Sequence, residues 1–242
     1  MSNSGKKFQG FDPGIFKFFI HLEKNNTAEW FSKNRERYQQ VVVKPAREYV
    51  EAIGEFFNHL NPAIRTEPKF NKTLMRINKD MRFAKGAPYR TYFLIHFGRF
   101  KMDSEFFVYF DKYGIEYGMF LNNSGGDGLY LNNNLSKYRK EIIQTFNRYE
   151  LNNRFDLCTF DSEADIVQKK VNLNKHFTKF SELKYILLQK NYDRRKKSVL
   201  SADFLTESIK TFSKLYPVYC FAISRDPMKL LQDFDERLGV AN

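Results

Sequence analysis

The apolar residues of this chain change their spacing near residue 62, and this change restricts the fold class more than any other feature. Before that point they recur every three or four residues, which is the spacing of amphipathic helices. From Thr73 onward they alternate with a period of two, which is typical of β-strands. We therefore predict an α+β protein, in which N-terminal helices (11–62) pack on a mainly antiparallel sheet of at least four strands (69–121) and mainly helical residues (132–242) follow.

Three helical runs are predicted before residue 62. The first begins at Asp12 and Pro13, because aspartate caps helices and proline suits the first helical position. The second begins at Asn26, which has the layout of a capping box with Glu29 three residues later. Pro45 is expected to end or kink this second helix, and the third run then continues to residue 62.

Four segments have the composition and alternation of strands, and two of them predict a hairpin. Residues 112–114 form a short turn that contains glycine, so the strands on either side of it are expected to pair antiparallel. The four predicted strands are Thr73–Asn78, Tyr92–Phe97, Phe106–Asp111 and Ile115–Leu121.

Helical spacing returns in the C-terminal half of the chain. Helices are predicted at 135–149, at 183–188 and at 204–212, and Pro217 is expected to stop the last of these. Asp226 and Pro227 on one side and Gly239 on the other bracket a final predicted helix.

Composition indicates a folded, intracellular protein. Apolar residues make up 42% of the chain, which is enough for it to fold. A length of 242 residues suits a single domain (1–242), and we predict a disordered tail at about residues 1–10. The two cysteines, Cys158 and Cys220, predict no disulfide framework and favour a reducing compartment. The scattered histidines predict no metal site, and we predict no cofactor. No stretch approaches the roughly 18 uncharged apolar residues of a membrane helix, so we expect a cytoplasmic protein without a membrane partner.

The net charge of +12 is concentrated in two segments. Residues 69–101 contain nine basic residues and one acidic residue, and residues 168–197 contain ten basic and two acidic residues. Each segment therefore has a net charge of +8, which leaves −4 for the rest of the chain. This distribution points to an anionic partner, either a small molecule or a nucleic acid, and two solvated basic faces are the alternative. The run from Tyr192 to Lys197 has two interpretations: it contacts phosphates, with Tyr185 and Tyr192 available for stacking, or it is a solvated loop.

The segment from Met75 to Phe83 is the most informative for chemistry. In an extended chain alternate side chains share one face, and two guanidinium groups on either side of a carboxylate suit a carboxylate or phosphate ligand. The following loop adds two cations and an aromatic ring. The alternative is the solvated face of a half-buried strand. The predicted ligand-binding residues are Arg76, Asp80, Arg82, Lys85, Tyr89 and Arg90.

A secondary site is considered on the second predicted helix. Trp30 and Tyr38 lie at helical spacing, and aromatic stripes of this kind usually face the interior, so we expect both in the core. Arg35 lies between them in sequence, and its spacing does not decide whether it is a surface residue or binds a ligand.

Three separated motifs resemble those of a known family. They are Asn26-x-x-x-Trp30-Phe31-x-x-x-Arg35-x-x-Tyr38, then Arg76-Ile77-x-x-Asp80-x-Arg82-Phe83, then Pro88-Tyr89-x-Thr91. Their order and spacing are similar to those of the conserved family called domain of unknown function 2461, across roughly the first 130 residues. The resemblance implies a shared α+β fold and a shared importance of Arg76, Asp80, Arg82 and Tyr89, and it implies no activity. The chain departs from the family pattern at Asn78-Lys79 and at Ala84-Lys85-Gly86.

Three functional hypotheses follow. The first is a domain that binds an anionic small molecule or nucleotide-like ligand, the second a nucleic-acid-binding module that uses both basic segments, and the third a scaffold or interaction protein without a ligand site. Whether the protein is an enzyme is left open, and no catalytic residue is predicted. Asp80 lies between arginines that should lower its pKa and so weaken it as a base at neutral pH.

Overall fold

A computed structural model describes residues 8–160 and 164–237 of the chain. It contains N-terminal helices, a central antiparallel sheet and C-terminal helices, which confirms the predicted α+β class. Among the described residues, no helix is long and apolar enough to cross a membrane.

The N-terminal helices begin close to where they were predicted, although their caps differ. The carboxylate of Asp12 accepts a hydrogen bond from the Gly14 N–H at the start of the first helix. The predicted capping box at Asn26 is wrong, because Thr27 caps the second helix by accepting a hydrogen bond from the Trp30 N–H at 3.2 Å. Pro45 lies in the first turn of a helix, where its missing N–H is tolerated. The elements are α1 (Gly14–Lys24), α2 (Ala28–Lys33), α3 (Arg35–Tyr38), a π-helical turn (Gln39–Val43) and α4 (Lys44–Leu60).

The described strands form one six-stranded sheet in the order β1-β2-β3-β6-β4-β5. The predicted hairpin is present as β2 and β3, which neighbour each other in this order. In the pair β4 and β6, Leu157 lies opposite Leu188. The strands are β1 (Phe93–Phe97), β2 (Glu105–Phe110), β3 (Gly114–Asn122), β4 (Asp156–Phe160), β5 (Ala164–Gln168) and β6 (Tyr185–Asp193).

The predicted strand at Thr73–Asn78 is wrong. Backbone hydrogen bonds join this segment to β1 from the Met75 N–H to the Leu94 carbonyl and from the His96 N–H to the Thr73 carbonyl. The hydroxyl of Thr73 donates to the Glu67 carbonyl, so one end of the segment is held by a local contact. The segment is therefore an irregular edge with isolated bridges instead of a full strand.

The predicted helix at 183–188 is also wrong, because these residues lead into β6. This strand lies between β3 and β4, and Ile186, Leu187 and Leu188 are all buried. A strand that is buried on both faces loses its alternation, and a short apolar run then resembles a helix. The prediction that 132–242 is mainly helical therefore missed β4, β5 and β6.

The remaining C-terminal helices agree better with the sequence. The run at 135–149 is divided into two helices, and the helix at Pro227 begins where it was predicted, while Gly239 lies outside the described residues. Pro217 does not stop its helix, which continues to Ile223 through buried residues that include Tyr216 and Val218. These helices are α5 (Leu131–Lys137), α6 (Arg139–Arg148), α7 (Leu173–Ser181), α8 (Asp203–Ile223) and α9 (Pro227–Arg237).

The described residues group into two compact units, and each is discontinuous in sequence. The first unit contains residues 8–97, 107–117 and 191–209, and the second contains residues 98–106, 118–160, 164–190 and 210–237. The single domain of the sequence analysis stays a prediction.

The first unit has an aromatic core. Phe11 is its centre, with its ring 4.4 Å from Phe110 and 5.1 Å from Phe8. The hydroxyl of Tyr49, which is fully buried, donates to Ser208 Oγ at 2.8 Å. Phe8 falls within the predicted disordered tail but is buried, because its ring packs on Phe11 and Tyr49. Residues 1–7 of that tail lie outside the described residues.

The second unit contains a buried ion pair between Arg99 and Asp103. The Nε of Arg99 donates to Asp103 Oδ2 at 2.8 Å, and its Nη2 donates to Oδ1 at 2.9 Å. The same guanidinium donates to the carbonyls of Ile223 at 3.1 Å and Gly128 at 2.9 Å. Asp103 is fully buried. Through these hydrogen bonds, the pair joins the β1–β2 connection to the segments of its own unit that contain Gly128 and Ile223.

We predict that Asp103→Ala destabilises the protein by about 3–5 kcal/mol, because it leaves the Arg99 cation without its carboxylate partner. Urea denaturation measures the change in the free energy of unfolding. The matched control is Asp193→Ala, which removes an exposed pair with Arg195 and should leave the midpoint unchanged. Equal midpoints for the two variants would contradict the structural role of the buried pair.

Candidate functional site

Two hydrogen bonds attach the Asn26 side chain to the backbone of Tyr89 in the first unit. The Nδ2 of Asn26 donates to the Tyr89 carbonyl at 2.8 Å, and the Tyr89 N–H donates to Asn26 Oδ1 at 3.0 Å. A carboxamide has one donor and one acceptor side, so it pairs with a peptide unit as a neighbouring strand would. The Tyr89 ring then stacks on Phe31, with the ring centroids 4.3 Å apart. Asn26 therefore joins the 79–88 loop to the segment that begins α2.

Arg90 fixes the other side of this loop. Its Nη1 donates to the carbonyl of Asn78 at 2.8 Å and to that of Arg76 at 3.2 Å. Its backbone N–H donates to the Ile77 carbonyl at 2.7 Å, and Ile77 is buried. Arg90 was predicted to bind a ligand, but its guanidinium is engaged with the protein backbone.

A hollow of about 480 Å³ lies between α2, α3 and the 76–78 segment. We call it the arginine hollow. It is lined by two arginines, four aromatic residues and five other residues, and none of these is acidic. The lining residues are Ala28, Phe31, Ser32, Arg35, Tyr38, Gln39, Phe70, Arg76, Ile77, Asn78 and Tyr89.

The two cations of the arginine hollow are not neutralised by the protein. Within the part of the chain that the structure describes, the guanidinium groups of Arg35 and Arg76 form no ion pair and no hydrogen bond. Both residues are exposed. Tyr38 closes the inner side of the hollow, and burial raises the pKa of its hydroxyl, so the phenol is neutral at physiological pH.

A second hollow, of about 550 Å³, lies on the other side of Tyr89, and we call it the loop hollow. Its two carboxylates are both paired: Glu23 accepts from the Lys112 Nζ at 2.7 and 2.8 Å, and Asp80 accepts from Arg82. It is lined by Glu23, Asn26, Lys79, Asp80, Phe83, Ala84, Ala87, Tyr89, Arg90, Thr91 and Tyr92.

The predicted side-by-side arrangement of Arg76, Asp80 and Arg82 is wrong. The N–H groups of Phe83 and Ala84 donate to the Asp80 carbonyl, so the chain turns at Asp80 instead of continuing extended. Arg82 folds back onto Asp80, with its Nε at 2.9 Å from Oδ1 and its Nη2 at 2.7 Å from Oδ2. These hydrogen bonds lower the pKa of the Asp80 carboxyl. An ionised carboxylate held by an arginine is a weak base at neutral pH.

The predicted site residues are therefore divided between the two hollows. Arg76 lines the arginine hollow, Asp80 and Arg90 line the loop hollow, and Tyr89 lines both. Arg82 and Lys85 line neither of them.

Of the secondary residues, Arg35 and Tyr38 line the arginine hollow. Trp30 does not, and its ring lies 5.8 Å from that of Phe18. Tyr38 is buried as expected, but Trp30 is half-buried, so its placement in the core was wrong. Sequence reasoning missed Phe31, whose stacking on Tyr89 joins residues that are distant in sequence and leaves no local signal.

The basic run at 192–197 is partly satisfied by its own unit. The hydroxyl of Tyr192 donates a hydrogen bond to Glu207, and the Lys196 Nζ lies 4.9 Å from the centroid of the Tyr192 ring. Arg195 forms an ion pair with Asp193. Tyr192 is therefore not available as an open stacking surface.

We predict that Asn26→Asp loosens the 79–88 loop. A carboxylate cannot donate to the Tyr89 carbonyl, so two oxygens would face each other, and the loss should be about 1–3 kcal/mol. Amide hydrogen exchange measures the effect, and the Tyr89 N–H should exchange faster while the core of α4 is unchanged. The control is Asn25→Asp, whose side chain donates a local hydrogen bond to the His21 carbonyl. An unchanged exchange rate at Tyr89 in the Asn26 variant would refute the prediction.

Comparison with known proteins identifies the family. No curated protein and no solved structure shows significant similarity to this chain. The sequence profile described as "Conserved hypothetical protein (DUF2461)" matches residues 14–221, which include both hollows. Because this match spans most of the chain, the protein belongs to the conserved hypothetical protein family DUF2461.

Proposed function

We propose that the arginine hollow binds a small anionic molecule, such as a nucleotide-like ligand with a phosphate or carboxylate and a flat ring. One observation carries this proposal: Arg35 and Arg76 face the same hollow, neither is paired with a described residue, and no carboxylate is among the lining residues. Two cations in one hollow repel each other, and a bound anion relieves this repulsion.

The chemistry of the lining suits such a ligand. A guanidinium presents planar, forked donors that match the oxygens of a phosphate or carboxylate. Phe31, Phe70 and Tyr89 provide apolar surface for a ring, while Ser32 and Asn78 provide hydrogen-bonding groups. Small-molecule sites combine apolar surface with a few polar groups that fix the orientation of the ligand.

The backbone of the segment that carries Arg76 is held in place by other residues of the protein. Its carbonyl and that of Asn78 both accept hydrogen bonds from Arg90, and the buried side chain of Ile77 anchors the segment between them. Tyr89, which also lines the hollow, is held by the two Asn26 hydrogen bonds. A binding group held on a fixed backbone loses less entropy when the ligand binds.

The proposal is for binding without catalysis. The lining of the arginine hollow contains no histidine and no carboxylate that could act as a base. Asp80, which was considered as a base, lines the other hollow and is held by Arg82. The scaffold hypothesis differs from this proposal in its expected outcome: no small anion should stabilise the protein.

We predict that adenosine monophosphate raises the Tm of the protein, and that inorganic phosphate raises it less because it has no ring. At a concentration about 100-fold above Kd, stabilisation should be about 2.7 kcal/mol. For a chain of this size this corresponds to a rise of about 5–10 °C. Arg35→Ala and Arg76→Ala should each abolish the rise, because each removes a cation from the hollow.

The matched controls are Arg82→Ala and Lys85→Ala, which remove cations that line neither hollow and should keep the full rise. A rise that survives in both hollow variants would show that the anion binds elsewhere. No rise with either anion in the unchanged protein would favour the scaffold hypothesis.

A further inference from the structure

Phe83 is an exposed aromatic residue on the 79–88 loop. Its relative exposure is 86%, the highest among the large apolar side chains in the described ranges 8–160 and 164–237. Met81, two residues earlier, is 47% exposed. Single exposed apolar residues are ordinary at protein surfaces, so the case for a partner depends on the turn and the charges that surround Phe83.

The turn that carries Phe83 is well defined. The Phe83 N–H donates to the Asp80 carbonyl at 3.0 Å, and the Arg82 N–H donates to Asp80 Oδ1 at 3.2 Å. The Arg82 guanidinium lies 5.5 Å from the centroid of the Phe83 ring. Because Arg82 also binds the Asp80 carboxylate, the turn presents the ring beside a neutralised ion pair.

The surroundings of Phe83 are cationic and aromatic. From residue 79 to residue 90 the chain has four basic residues and one acidic residue, a net charge of +3. Phe83 lines the loop hollow together with Tyr92, whose own ring is 5.0 Å from Tyr109. The basic residues are Lys79, Arg82, Lys85 and Arg90.

We propose that this loop binds single-stranded nucleic acid, with one base stacked on Phe83 at the loop hollow and phosphates contacted by Lys79 and Lys85. Proteins that bind single strands combine a positively charged surface with aromatic side chains on which bases stack. A base in a duplex is already stacked, so one projecting ring requires an unpaired strand. This site is separate from the arginine hollow and does not depend on the function proposed for it.

The lining of the loop hollow favours a base over a lipid chain. Glu23, Asp80 and Thr91 place polar groups beside Phe83. The Glu23 and Asp80 carboxylates already accept hydrogen bonds from Lys112 and Arg82. Each carboxylate has further lone pairs, so it can also accept a hydrogen bond from the amino group of a base, as can the Thr91 hydroxyl. An acyl chain would remove these ion-paired carboxylates from water without supplying a hydrogen bond of its own, which is unfavourable.

The test is fluorescence anisotropy with a labelled single-stranded oligonucleotide at low and at physiological salt. We expect Phe83→Ala and Phe83→Leu to weaken binding roughly 5- to 150-fold, the range measured for loss of one stacked base. Phe83→Trp should keep the affinity, because tryptophan also stacks. Lys85→Gln should lower the slope of log K against log salt by roughly 0.7, which is the contribution of one phosphate contact on a single strand.

Tyr113→Ala is the control for an exposed aromatic residue, since Tyr113 is 70% exposed but does not line the loop hollow, and it should leave binding unchanged. Full binding by Phe83→Leu, or release of the oligonucleotide by anionic phosphatidylserine vesicles, would overturn the proposal in favour of apolar insertion into a membrane. Absence of binding at low salt would also overturn it. The thermal response of Phe83→Ala to adenosine monophosphate should be intact, which separates this test from that of the arginine hollow.

Discussion

The contact between the Asn26 side chain and the backbone of Tyr89 is the interaction on which the candidate site depends. It joins residues that are 63 positions apart, and it has both a donor and an acceptor, so it sets the position and the direction of the loop. Tyr89 lies on the wall between the two hollows, and its ring continues the contact onto Phe31. This contact and the stacking of Tyr89 on Phe31 together tie the 79–88 loop to α2.

The arginines of this protein differ in what occupies their donors. Arg99 is surrounded by the Asp103 carboxylate and two carbonyls, and its role is to hold its own unit together. Arg90 supports backbone carbonyls, and Arg82 is held by Asp80. Arg35 and Arg76 are the ones whose guanidinium groups have no partner among the described residues while facing a hollow. A guanidinium that the fold already satisfies stabilises the fold, and one that it leaves unsatisfied is available to a ligand.

Charge alone therefore does not identify a site in this chain. The segment from residue 69 to residue 101 is strongly basic. Its cations nevertheless have different surroundings: Arg82 and Arg99 are in ion pairs, Arg90 binds backbone carbonyls and Arg76 lines the arginine hollow. The two proposed sites use different members of this set. They also use aromatic residues differently: Tyr89 is buried and forms a wall, whereas Phe83 projects into solvent.

By itself, the sequence determined the features that arise from local pattern. The start of α1, the β2–β3 hairpin, the α+β class and the family all follow from residues that are close in the chain or from motifs read in order. The strand β6 and the passage of α8 through Pro217 could not be predicted, because burial by distant segments overrides local spacing and propensity. The same reason applies to the site: alternation suggested that Arg76, Asp80 and Arg82 share a face, but the turn at Asp80 separates them. Only the tertiary structure brought Arg35 to Arg76, because no pattern within a segment specifies a contact between two segments.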